Sequence, residues 1–388
     1  MIYYGRQNIN EADIEAVETV LRSDFLTQGP AIERFERRVA DYCGVKYAVA
    51  VTNATSALHI ACLAAGMGKD DVLWTSPITF VASANCARYC GSDVDFVDID
   101  EKTYNMSADC LEEKLRKAKS EGKLPKMVIP VHLAGQSCDI QRIHALAEEY
   151  GFAVTEDASH AVGAGYLNTK VGSCAFSDMT VFSFHPVKII TTGEGGMVLT
   201  NREDLYEKLL LYRSHGITRN AADMTHESDG PWYYQQIDLG FNYRMTDLQA
   251  ALGCSQMDRL DTFVTRRREL VARYDAALQE LPVKTPYVME GANPSWHLYV
   301  IRVNFTKVCK SKREVFAQMA ERGVALNLHY IPVHTQPYYE ALGHRPEECP
   351  NAMEYYREAL TLPLYYGLSD EEQDGVVENL TSVLTERC

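Results

Sequence analysis

The sequence predicts an α/β fold in two parts: a large domain on a mostly parallel seven-stranded sheet, residues 1–255, and a small α+β domain, residues 256–388. Three observations predict it. Short runs rich in β-branched residues recur up to about residue 200, with helical patterns between them. A long polar and aromatic stretch follows the last of these runs, and beyond it the pattern is mainly helical before further strand-like runs appear. A chain of 388 residues is also too long for one simple core.

The elements follow in order. INEADIEAVETVLRS and IERFERRVADYCG carry apolar residues at helical spacing and are read as amphipathic helices. Seven strands come next, beginning at Tyr47 (YAVAVT), Val72 (VLWTS), Val94 (VDFVDI), Met127 (MVIPVH), Phe152 (FAVTED), Met179 (MTVFSF) and Gly196 (GMVLT). HGITRNAADMTHESDGPWYYQQIDLGFNYR is too irregular for a core element and long enough to be a functional loop. TDLQAALGCSQMDRLDTFVTRRRELVARYDAALQEL reads as helical and leads into the small domain. There the expected elements are a strand in WHLYVIRV, a helix in KREVFAQMAERG, a second strand in VALNLHY and a terminal helix after Ser369.

Composition narrows the function. With 53 acidic against 38 basic residues the formal charge is -15, which argues against a general nucleic-acid or anionic-membrane binder. An anionic ligand must then be held by a local site. The eleven cysteines are scattered and form no C-x-x-C, as expected of reduced thiols used as small hydrophobes. No window approaches the ~18 apolar residues of a membrane span, and the N-terminus has no basic segment followed by an apolar one. The expected location is the cytoplasm, with neither membrane nor nucleic acid as partner.

In open α/β sheets ligands sit beyond the carboxyl ends of the strands, so those ends should spell out the site. The first strand runs into Asn53-Ala54-Thr55-Ser56 and a helix start, a place for phosphate and equally an ordinary helix cap. The second leads to Phe80, able to cover a flat ring or simply to fill core. The fifth ends at Asp157, followed by Ser159 and His160; a buried carboxylate there needs a positive partner, or else caps the next helix. The sixth ends at Ser183 and runs into Lys188 within FSFHPVKIITTGEGG. Together these give a phosphate cradle, an aromatic face, a carboxylate and a lysine on one rim. That is the equipment pyridoxal phosphate requires, and the coincidence of all four says more than any one.

The run FSFHPVKIITTGEGG, with EDASHA before it and GFNYRMTDLQAALG after it, resembles the sugar-nucleotide aminotransferases of the DegT/DnrJ/EryC1/StrS group, and the resemblance covers nearly the whole chain. It implies a fold-type-I pyridoxal-phosphate transferase, with a three-layer αβα large domain. It also implies that Lys188 binds the cofactor covalently, that Asp157 partners the pyridinium nitrogen, and that Phe80 stacks on the ring. His160 would lie near the phenolic oxygen, where many relatives carry Gln. Phosphate would be held by Ala54, Thr55, Ser56 and Ser183, and by Asn242 reaching in from the other subunit of a homodimer. Tyr4, the segment Asp24, Phe25, Leu26 and Thr27, and the stretch His329, Tyr330 and Ile331 would meet the substrate. Within the group, LTQGPAIERFE, NATSALHIA and LNLHYIPVH look most like the branch that aminates C4 of a UDP-linked 4-keto-6-deoxy N-acetylhexosamine, with L-glutamate as donor.

Other readings compete. Another UDP- or dTDP-linked 4-keto sugar would suit the same cofactor set, and a regulator that kept the fold without turnover remains open on fold grounds. A nicotinamide enzyme lacks its G-x-G-x-x-G after the first strand. A metal enzyme built from His132, His160, His329 and His334 lacks ligand spacing, and no metal is expected.

Overall fold

Along the chain of the computed structural model, which describes residues 1–386, helices α1 (Glu11–Leu21) and α2 (Pro30–Cys43) precede the first strand. Then β1 (Tyr47–Val51), β2 (Val72–Thr75), β3 (Asp93–Phe96), β4 (Met127–Ile129) and β5 (Ala153–Asp157) alternate with α3 (Ala54–Ala64), α4 (Ala82–Tyr89), α5 (Ala108–Glu121) and α6 (Ile140–Tyr150). A short hairpin, β6 (Gly165–Tyr166) and β7 (Thr169–Lys170), comes before β8 (Met179–Ser183), β9 (Gly196–Thr200) and α7 (Glu203–Arg213). One seven-stranded sheet results, in the order β1-β9-β8-β5-β4-β2-β3. Its pairs are parallel except where β9 runs antiparallel to β1 and β8.

Period-two alternation along the strands sets the layers. In β1, Val49 and Val51 join one hydrophobic cluster with α3 and α7, while Ala48 and Ala50 join another with α2. Leu73, Met127 and Ile129 continue the first face. Trp74, Val128 and Val154 continue the second, under α5 and α6. The sheet is thus buried on both faces, which is why its strands read as short apolar runs.

The stretch between α7 and the next helix folds back as a hairpin of β10 (Ile217–Thr218) and β11 (Gln235–Gln236). Helices α8 (Asp247–Met257) and α9 (Leu260–Ala277) follow, and α9 belongs to two cores. Leu260, Phe263 and Val264 pack in the large-domain cluster, whereas Leu270, Val271 and Tyr274 pack with the small domain. The changeover of core therefore runs along α9, and a division at residue 255 falls inside α8. Between the two halves, fully buried Arg267 donates to the carbonyls of Trp296, His297 and Leu364 at 2.9–3.2 Å.

The small domain contains β12 (Val283–Lys284), β14 (Tyr299–Val303) and β15 (Ala359–Leu362) in one antiparallel sheet, while β13 (Ala292–Asn293) pairs back to β6. Helices α10 (Lys312–Glu321), α11 (Pro337–Ala341), α12 (Pro350–Glu358) and α13 (Asp370–Thr385) complete it. The expected strand in VALNLHY does not form. Its backbone bridges first to Ile2, at Val324, and then to Thr361, at Asn327, so neither ladder extends. The third strand of the sheet is β15, in a segment that the sequence analysis assigned to no element. Among the described residues, no helix is long and apolar enough to cross a membrane.

Replacing Arg267 with Ala strips three buried carbonyls of their donor. The expected loss is about 3–5 kcal/mol of stability, visible as a lower urea midpoint at an unchanged slope.

Candidate active site

A cavity of about 670 Å³ opens at the carboxyl rim of the sheet, bounded by the ends of β1, β5 and β8 on one side and by residues 327–330 on the other. Its floor begins at α3. Asn53 caps the helix by accepting from the Ser56 amide at 2.8 Å, which leaves the Ala54 and Thr55 amides at the open first turn. Gly196 makes this arrangement possible. A Cβ there would sit 2.4 Å from the Asn53 carbonyl carbon and 2.6 Å from the Ala54 nitrogen, so only glycine lets β9 pass so close beneath the helix start.

Asp157 ends β5 with its side chain buried at the cavity. The Ser83 hydroxyl donates to it at 2.6 Å and the Ser159 amide at 3.1 Å, and it has no ion-pair partner among the described residues. Glu156, next in the strand, points to the other face, where His132 Nε2 lies 2.6 Å away. Burial raises the Glu156 carboxyl, but His132, Ser177 and Thr180 together hold it below the usual range.

Lys188 sits on a loop closed at its base, where the Phe184 amide donates to Gly195 and the Thr192 amide returns to Phe184. Gly193, at φ 81°, makes the turn between those bonds. Burial lowers the Lys188 amine to about 8, partly opposed by nearby Asp157. Around it His160 and His329 are held neutral, chiefly by burial and then by the lysine's own charge, His329 at about 3.

The structure brings together on this cavity Ala54, Thr55, Asp157, His160, Ser183 and Lys188, with Phe80 at its mouth and Tyr4, His329 and Tyr330 on the far wall. The ring of Tyr4 lies 5.0 Å from that of His329, and Phe80 is 6.4 Å from Tyr330. Ser56 turns inward, its hydroxyl 3.1 Å from Thr52. Asn242, the segment Asp24–Thr27 and Ile331 lie outside the lining, on the surface of the chain. The role expected of His160 meets a competitor, because both ring nitrogens are already engaged, by the Ala134 amide and by Tyr330. Sequence reasoning missed Ser83, although its spacing of four from Thr79, with which it bonds at 2.7 Å, marked a helix start beneath the site. It also missed His185, Glu194 and Asn327, which have no local signature.

Of the four histidines weighed as metal ligands, none belongs to the one group among the described residues close enough to share a cation, Asp95, His344 and Glu348. The donor set of the cavity fits pyridoxal phosphate instead. It has a helix start for the phosphate, a buried carboxylate without a cation for the ring nitrogen, and an amine of lowered basicity for the aldehyde carbon.

Such a site on such a sheet defines a fold-type-I pyridoxal-phosphate transferase. The chain belongs to the DegT/DnrJ/EryC1/StrS aminotransferase family, which it matches over residues 7–381. It is 39% identical to the spore coat polysaccharide biosynthesis protein SpsC of Bacillus subtilis, over 98% of this chain and 96% of that one. It is 35% identical to the UDP-4-amino-4,6-dideoxy-N-acetyl-β-L-altrosamine transaminase of Campylobacter jejuni, over 99% and 98%. Among solved structures, Spr1654 of Streptococcus pneumoniae in its PMP form superposes with a TM-score of 0.88 at 29% identity, covering 98% of each chain. The protein is a sugar aminotransferase with pyridoxal phosphate as cofactor.

Replacing Ser83 with Ala removes the 2.6 Å hydrogen bond to Asp157. Cofactor retention measured by absorbance during dialysis is expected to weaken by roughly tenfold, and the cofactor-free protein to lose about 1–3 kcal/mol of stability as the buried carboxylate gives up a donor.

Proposed function

We propose that the protein is a cytoplasmic homodimer that moves an amino group from L-glutamate to C4 of a UDP-linked 4-keto-6-deoxy N-acetylhexosamine. The product is UDP-4-amino-4,6-dideoxy-N-acetyl-β-L-altrosamine, an intermediate of pseudaminic acid synthesis. The observation that carries amino transfer is an amine and a carboxylate, Lys188 and Asp157, facing one cavity unpaired. Support for this sugar comes from the full-length likeness to the Campylobacter transaminase.

Bound in this cavity, pyridoxal phosphate supplies an electron sink for the charge left when the donor's carbon gives up its proton. Asp157, fixed by Ser83, would keep a proton on the cofactor's ring nitrogen, and the Ala54 and Thr55 amides with Ser183 would hold its phosphate. Lys188 would take the proton of the donor's α-carbon at Nζ and hold it for return, a task suited to an amine near 8. Tyr4, His329 and Tyr330 offer a sugar aromatic surface and hydroxyls without a strong positive field. In the dimer Asn242 and the segment Asp24–Thr27, exposed on the single chain, complete the partner's site.

A second reading has its own support. The likeness to SpsC, named for spore coat polysaccharide biosynthesis, is higher, at 39%, so another nucleotide-linked sugar stands beside the first as a candidate substrate. Assaying a panel of UDP- and dTDP-linked 4-keto sugars with glutamate decides between them, and a preference for a dTDP sugar overturns the altrosamine assignment while leaving amino transfer in place.

Lys188→Ala is expected to abolish amino transfer, and a purified variant with near-normal turnover would sink the assignment. With the amine at about 8, only about a tenth is neutral at pH 7. Capture of pyridoxal phosphate by the cofactor-free protein, followed by absorbance, should therefore quicken about tenfold per pH unit below 8 and level off above it.

A further inference from the structure

The protons around the far wall of the cavity can be counted. His160 is gripped at both ring nitrogens: the Ala134 amide donates to Nδ1 at 3.3 Å, and Nε2 lies 3.0 Å from the Tyr330 hydroxyl oxygen. An amide N–H cannot donate to a nitrogen that already carries hydrogen, so Nδ1 is bare. A neutral imidazole then holds its one hydrogen on Nε2, and that hydrogen goes to Tyr330. Burial, followed by the charge of Lys188, keeps His160 from taking a second proton.

The ring has no freedom to turn. His297 packs on it with centroids 4.5 Å apart, and the chain at His297 is itself held by the guanidinium of Arg267. Tyr330 Oη therefore accepts, and its own hydrogen is left over. The side chain lines the cavity, and burial holds the phenol far above the ordinary tyrosine range, so the hydrogen stays on. A hydroxyl whose oxygen is taken and whose hydrogen is spare acts as a one-way donor.

We propose that Tyr330 donates its hydroxyl hydrogen to a ligand oxygen at the reacting centre, and that His160 is the positioning residue that sets this direction. The inference rests on the aminotransferase reading. Two oxygens share the required chemistry, the phenolic oxygen of pyridoxal phosphate and the ketone oxygen of the sugar. Each gains from a neutral donor fixed in advance, because the donor need not reorient as charge builds.

The test has two arms. Nitrogen NMR of cofactor-free protein carrying isotope-labelled histidine, assigned with His160→Gln, should show His160 neutral with its hydrogen on Nε2 near neutral pH. A hydrogen on Nδ1, or a charged ring, overturns the proposal. This arm needs no turnover, so it stands apart from the aminotransferase reading, which fails separately if wild-type protein aminates no 4-keto sugar.

The second arm uses Tyr330→Phe, which keeps the ring and removes the hydroxyl. A shifted pH titration of the absorbance of the lysine-bound cofactor identifies the phenolic oxygen as acceptor. An unchanged titration and a normal rate with glutamate, together with a fall on the order of 10- to 100-fold with the keto sugar, identify the ketone oxygen. If titration and both rates stay within about twofold of wild type, the tyrosine is packing only and the proposal fails. His160→Ala should reproduce the Tyr330→Phe defect, and His160→Gln, which still offers an N–H, should restore most of it. A Gln variant as impaired as Ala overturns the positioning role.

Discussion

A carboxylate and an amine share one cavity without closing on each other, and much of the architecture serves that separation. Had Asp157 and Lys188 met, each would have satisfied the other and the cavity between them would have had no chemistry to offer. Asp157 is instead occupied by a hydroxyl and an amide, Ser83 and Ser159, which hold it in place while adding no positive charge. Lys188 rides on a loop tied at its base by Phe184, Thr192 and Gly195. Burial does the rest, making the amine easier to deprotonate than one in water.

The side of the cavity that belongs to the sheet was legible because topology does the reading. Each strand is a short β-branched run with a clear end, and in a mostly parallel sheet those ends must gather on one rim. Asp157, Ser183, Lys188 and the start of α3 therefore announce themselves together. Residues 327–330 did not, since they belong to a segment whose alternation looked like a strand; of them only His329 and Tyr330 were reached, through the family resemblance. That alternation is real, but its hydrogen bonds are divided between Ile2 and Thr361, and pattern alone carries no record of how many partners a backbone has.

Long-range polar contacts were the other blind spot. Arg267 looks like one charge of many in a helix rich in them, yet it is buried against three carbonyls drawn from two distant segments. Ser83 is an unremarked small residue until the fold sets it beneath Asp157. The two are linked in effect: Ser83 fixes the carboxylate from the sheet side, while Arg267 fixes His297, and through it His160, from the small-domain side. Both walls of the site are thereby held by side chains that do not carry its chemistry.

The small domain is joined to the rest at many points across one seam. Helix α9 is continuous through both cores, Ile2 bridges to Val324, β13 pairs with β6, and the Asn351 and Ala352 amides donate to Asp98. A body hinged at one point can swing in any direction, but one tied at several points that share no line has no axis left to turn about. Residues 327–330, the far wall of the cavity, thus belong to a body tied to the sheet's domain on several sides. A sugar must enter a cavity whose two walls already stand in place, past exposed Phe80 at the mouth.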